Sequence, residues 1–117
     1  MSYITVAAYA VPTAEKNAFI AHSKALTPLF TKHGAIAAVD AWGEDVPDGQ
    51  TTSFPMAVKC EADETVAYSH IIWPDKQTHD ANMQTVMTEM EKAMKNHPMP
   101  FDGKRMIFAS FQSVVEA

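Results

Sequence analysis

One cysteine, four glycines and no excess of basic residues are what this chain has least of, and each shortage removes a class of function. Cys60 has no second thiol to pair with, so an intrachain disulfide is excluded, and the residue reads as a small apolar side chain rather than a redox centre. The few glycines form no phosphate-cradling loop, and no serine sits in a nucleophile-elbow pattern, which leaves nucleotide and covalent acyl chemistry without support. Lys and Arg number 9 against 14 Asp and Glu, a net charge of −5, so binding to nucleic acid through released counterions is not expected. Long apolar runs are missing too: the opening Met1-Ser-Tyr-Ile-Thr-Val lacks a basic flank and the stretch behind it breaks at Pro12, which predicts neither membrane insertion nor export and suits a cytoplasmic protein.

What is present is a globular mixture. Hydrophobic residues make up 47% and charged residues 20% of 117 positions, enough apolar surface for one core and one domain spanning residues 1–117. Tyr3 to Val11, rich in β-branched and aromatic residues, predicts a first strand that stops at Pro12. Thr13 is positioned to cap a helix in which Phe19, His22, Leu26, Leu29 and Phe30 recur at helical spacing until Gly34, with a kink expected at Pro28. Ala35 to Val46 reads as a long second strand, followed by a Pro-Asp-Gly turn at residues 47–49. Ser53 to Cys60 predicts a short helix with Phe54, Ala57 and Val58 on one face and Pro55 in its first turn. Val66 to Trp73 is a third strand, Asp75 caps a second long helix striped by Met83, Val86, Met87, Met90 and Met94, and Lys104 to Val115 is the last strand. The methionine stripe reads as adaptable core packing.

This order is βαββαβ with a short helical insert, the ferredoxin-like α+β fold: a four-stranded antiparallel sheet with both long helices on one face. The other face, apolar and uncovered by any helix of the same chain, predicts a homodimer, with a small-molecule cavity beside the dimer sheet.

Residues along nearly the whole chain carry a resemblance. They are Ala10-Val11-Pro12, Pro28-Leu29-Phe30, Gly34-Ala35, Trp42 with Asp45-Val-Pro-Asp-Gly, Ala57-Val58-Lys59, Trp73-Pro74 before Lys76, and Met99-Pro-Phe-Asp-Gly-Lys-Arg-Met-Ile. With these the chain resembles the YbaA-like family of bacterial domains of unknown function, within the dimeric α/β-barrel superfamily. The resemblance implies a ferredoxin-like subunit, a homodimer forming a dimeric α/β barrel and a cytoplasmic setting, and brings no substrate, cofactor or catalytic residue. One departure is His70, where related sequences place an aromatic residue after Ser69.

Three groups of residues suggest chemistry. Asp40, Trp42 and Glu44 alternate along the second strand, so one face would receive two carboxylates with an indole between them. A carboxylate beside an apolar ring can act as a general base. In the competing arrangement Asp40 pairs with Arg105 across the sheet and Glu44 is solvated. Tyr68 and His70 share a face of the third strand, where the imidazole would either shuttle a proton or sit satisfied at the dimer interface. Lys104 and Arg105 would point to opposite faces, leaving Arg105 to hold an anion or to clamp a carboxylate of its own fold. The catalytic candidates are therefore Asp40 as base with His70 or Arg105 stabilising negative charge, and the ligand-binding candidates are Trp42, Glu44 and Tyr68. No metal site is expected: His22 and His33 share a helix but lie roughly 16 Å apart at 1.5 Å per residue. No cofactor is expected either. The function these features predict is binding of a small metabolite, with cofactor-free proton transfer or oxygenation if the protein is an enzyme. The alternative is a non-catalytic binding or stress-response dimer.

Overall fold

The computed structural model describes residues 1–117. Strand β1 (Tyr3–Pro12) leads through a 3-10 turn (Thr13–Glu15) into helix α1 (Lys16–Lys32), then β2 (Ala37–Trp42), a one-turn helix α2 (Phe54–Ala57), β3 (Glu64–Trp73), helix α3 (Lys76–Ala93), a second 3-10 turn (Gly103–Arg105) and β4 (Ile107–Gln112). The strands lie in the order β2-β3-β1-β4, with every neighbouring pair antiparallel. This is the four-stranded α+β ferredoxin-like architecture that the order of elements predicts.

Several boundaries differ from their expected positions. The β2 ladder ends at Trp42 rather than Val46 because the chain tucks against β3 at Gly43, where a Cβ would stand 2.5 Å from the Val66 carbonyl oxygen. β4 starts at Ile107 because Asp102 accepts the Lys104 N–H and winds residues 103–105 into a turn. Thr13 does not cap α1; its hydroxyl meets that of Thr65 at 2.7 Å, and the 3-10 turn intervenes. Helix α1 continues through Pro28 to Lys32. It ends where Ala35 N–H donates to the Phe30 carbonyl and Gly34 N–H to that of Thr31, the paired closure that a left-handed residue permits, and Gly34 sits at φ +108°. The expected Asp75 cap is in place, accepting from Thr78 N–H at 2.7 Å, and Ser53 caps the insert in the same way, accepting from Met56 N–H at 3.1 Å.

Side-chain alternation divides the sheet into two faces. Odd-numbered residues of β1 and β3 and even-numbered residues of β2 point towards α1 and α3, burying Tyr9, Val11, Phe19 and Ala67 in one cluster and Phe30, Ala35, Trp73 and Val86 in another. Glu89 of α3 ties the helices together, accepting from Lys32 Nζ at 3.1 Å and His33 Nε2 at 2.8 Å. The second face is not wholly bare, although no long helix covers it. The insert folds over one end of it and buries Val58 completely against Ala8, Ala10 and Val66. Of the three residues expected on the insert's inner face only Val58 is buried; Phe54 remains 54% exposed. Over the rest of this face Val39, Ile107 and Phe111 are exposed, while Val6, Tyr68 and His70 are half-buried. No helix is long and apolar enough to cross a membrane.

Candidate functional site

Between the inner face of the sheet and the two long helices lies a cavity of about 310 Å³. α3 and its C-cap contribute Met83, Met87, Met90 and Met94, and the segment behind it adds Met99 and Met106, so the methionine stripe is also the wall of a hollow. Phe101 closes one side, stacked on Tyr9 with ring centroids 4.1 Å apart and planes inclined by 16°. His22 of α1 fastens the same segment: its Nδ1 lies 2.9 Å from the His97 carbonyl oxygen, which can only accept, so Nδ1 carries the proton. His22 is 8% exposed and stands edge-on to Phe101.

The floor of the cavity holds a directed chain of hydrogen bonds. Asp40 of β2 lies directly opposite Ser69 of β3, and the Ser69 hydroxyl donates to Asp40 Oδ1 at 2.6 Å. Because that proton is committed, the Tyr9 hydroxyl, 2.6 Å from Ser69 Oγ, donates to it in turn. The order is Tyr9 to Ser69 to Asp40. Burial pushes the Tyr9 phenol well above its ordinary value; the Asp40 charge adds to this and the bond to Ser69 partly offsets it.

The residues singled out by the sequence pattern divide among three places, since antiparallel register and strand ends decide where each goes. Only Asp40 reaches the cavity. Trp42 shares its face but packs on Phe19 at 5.5 Å with the Lys16 ammonium 5.6 Å from its ring centroid, away from the cavity lining. Glu44 lies beyond the end of β2 in a separate open groove of about 350 Å³ that also holds Asp48, Glu61 and Glu64. Tyr68 and His70 do share a face, with Tyr68 OH 3.1 Å from His70 Nδ1, but it is the opposite face of the sheet. Arg105 neither pairs with Asp40 nor looks into the cavity. It grips Glu64 through two bonds of 2.7 Å, Asp102 at 3.2 Å and the Lys59 carbonyl at 2.9 Å, which makes it a clamp of its own fold. That grip holds the Glu64 carboxyl below the usual range. Cys60 is half-buried, with its thiol pushed up first by burial and then by the Glu64 charge, which lowers its reactivity. No three His, Cys, Asp or Glu side chains are placed to share a metal ion.

Tyr9, Ser69 and His22 are thus the site's unforeseen members. Their signal is positional: Ser69 becomes visible only when β2 and β3 are set in register, and His22 only when the segment after α3 folds back over α1.

Comparison with known proteins gives a consistent result. Residues 2–103 match the family described as "Protein of unknown function (DUF1428)". The chain is 40% identical over 116 residues to the "Uncharacterized protein YbaA" of Escherichia coli K12, covering 99% of each chain, and equally to that of Shigella flexneri. Among solved structures it is similar to a dimeric ferredoxin-like protein from an uncultured marine organism, with a TM-score of 0.61 at 10% identity, covering 99% of this chain and 96% of that one. At that identity the likeness bears on the fold alone.

Proposed function

Because the chain belongs to the DUF1428 family, which supplies no activity to inherit, we propose from the site itself that this protein is a homodimer binding an apolar small molecule in the cavity between its sheet and helices. The observation carrying this reading is one polar chain, Tyr9-Ser69-Asp40, at the floor of a hollow walled mainly by thioethers, aromatic rings and aliphatic side chains. Apolar walls with a few convergent polar groups are the usual composition of a ligand site, and thioethers adapt to irregular shapes. The dimer is supported by the uncovered face, where Ile107 is 44% and Phe111 58% exposed. Two such faces packed together would close a dimeric α/β barrel and bury the Tyr68-His70 pair. A cytoplasmic setting belongs to the same proposal, supported by the single unpaired thiol.

Native mass spectrometry of the purified protein tests this reading. A dimer with a retained small mass, lost when Met83→Trp fills the cavity, supports it; a monomer overturns it outright, and a dimer that takes up no apolar molecule overturns it in favour of a non-catalytic binding or stress-response dimer. A second reading, proton transfer, is favoured by the relay, because Asp40 is a carboxylate base with a hydrogen-bonded pathway behind it. Hydrogen exchange at the α-carbon of an enolisable ketone in heavy water, followed by NMR, would then be abolished by Asp40→Asn in a folded protein. Exchange unchanged by that substitution removes Asp40 as a base.

A further inference from the structure

We infer that the ligand of this cavity is a lipophilic cation, an aromatic-bearing molecule whose single amine or equivalent positive group docks on Asp40. The inference rests on the cavity being a ligand site and adds the sign of the ligand's charge.

Asp40 carries the only formal charge among the residues lining the cavity. It joins none of the protein's ion pairs, and its sole hydrogen bond comes from the neutral Ser69 hydroxyl to Oδ1, so no protein donor meets Oδ2. Lys24 lines the outer groove that Asp40 also touches, yet forms no pair with it.

The other polar groups make the same demand. Tyr9 and Ser69 direct both their protons down the chain towards the carboxylate, so neither is free to donate to a ligand. His22 gives its Nδ1 proton to the His97 carbonyl, which leaves an acceptor on the other ring nitrogen when the imidazole is neutral. An anionic ligand would meet a like charge and few donors, since the Thr27 hydroxyl donates to the Ser23 carbonyl and the Thr5 hydroxyl is paired with that of Ser110. A neutral one would leave the half-exposed carboxylate with only the Ser69 hydroxyl and solvent as partners. A cation satisfies it, and the exposed Phe108 ring and the polarisable sulfurs that line the cavity receive the rest of such a molecule. The net charge of −5 adds long-range attraction of the same sign.

Isothermal titration of the intact protein with phenylbutylamine, phenylbutanol and phenylbutyrate at neutral pH tests the inference, because the three share an apolar body and differ in charge. The amine is expected to bind about tenfold tighter than the alcohol, and the acid weakest. Asp40→Asn should bring amine and alcohol to equal affinity, with circular dichroism reporting the fold. If that variant does not fold, added sodium chloride on the parent protein gives the same information, since it weakens binding of the amine and not of the alcohol. Equal binding of amine and alcohol by the parent, or an amine preference that survives Asp40→Asn, overturns the cation assignment while leaving the cavity reading intact. Binding of none of the three overturns both.

Discussion

The two faces of the sheet are both apolar but covered by different means. On the inner face α1 and α3 supply the cover from the same chain, and the imperfect fit of long thioether side chains leaves a cavity around one carboxylate. On the outer face the insert buries only one end, around Val58, and the rest ends in exposed aliphatic and aromatic side chains. Side chains on a sheet are sorted by parity, so a shift of one position exchanges an interior role for an interfacial one. Ser69 lies in the relay while its neighbours Tyr68 and His70 belong to the outer face.

The contrast is broken most severely from the inside. Trp73→Ala empties a fully buried indole site and should cost about 4 kcal/mol in urea denaturation, with unfolding the expected outcome at elevated temperature. A charge placed on the outer face acts differently: Phe111→Asp should yield a folded monomer, with helical circular dichroism preserved and half the mass by light scattering. An unchanged mass would remove this face as the dimer interface.

Acid tests the outer face near the insert, where Arg105 holds Glu64. The Glu64 carboxyl is depressed in the folded state, so its contribution is complete above its ordinary value of 4.5 and is lost as pH falls through the lower folded value. Glu64→Gln should therefore reduce stability at neutral pH and flatten its decline in acid, measured by denaturant midpoint against pH. The smallest expected effect is Tyr9→Phe, which removes the first hydroxyl of the relay and should cost about 1 kcal/mol. Because the Tyr9 phenol is raised, its contribution is complete below its ordinary value of 10.0 and lost as pH rises above it; the Phe variant should lose stability less steeply in alkali.

Much of the fold is legible in local features. The strands show in β-branched content, α3 in its Asp75 cap and methionine stripe, and the end of α1 in Gly34. The site is less legible because its members meet through long-range pairing. Asp40 stands out as a carboxylate in a strand, but its partner Ser69 is selected by register 29 positions away and Tyr9 by a further antiparallel pairing. Glu44 and Arg105 mislead for a related reason: each reaches the site only if its strand is extended past its end. A close backbone approach at Gly43 and a side-chain cap at Asp102 end those strands first.

The central position of β1 also bears on how the chain is made. Tyr3 pairs with Trp73 on one side and with Gln112 on the other, so a chain emerging from the ribosome acquires the two partners of its first strand in succession. In the interval β1 offers a row of unpaired backbone groups on a half-built sheet, the kind of edge to which neighbouring nascent chains adhere. Until β4 pairs with it, the free edge of β1 is thus a place where one partly folded chain can add to another.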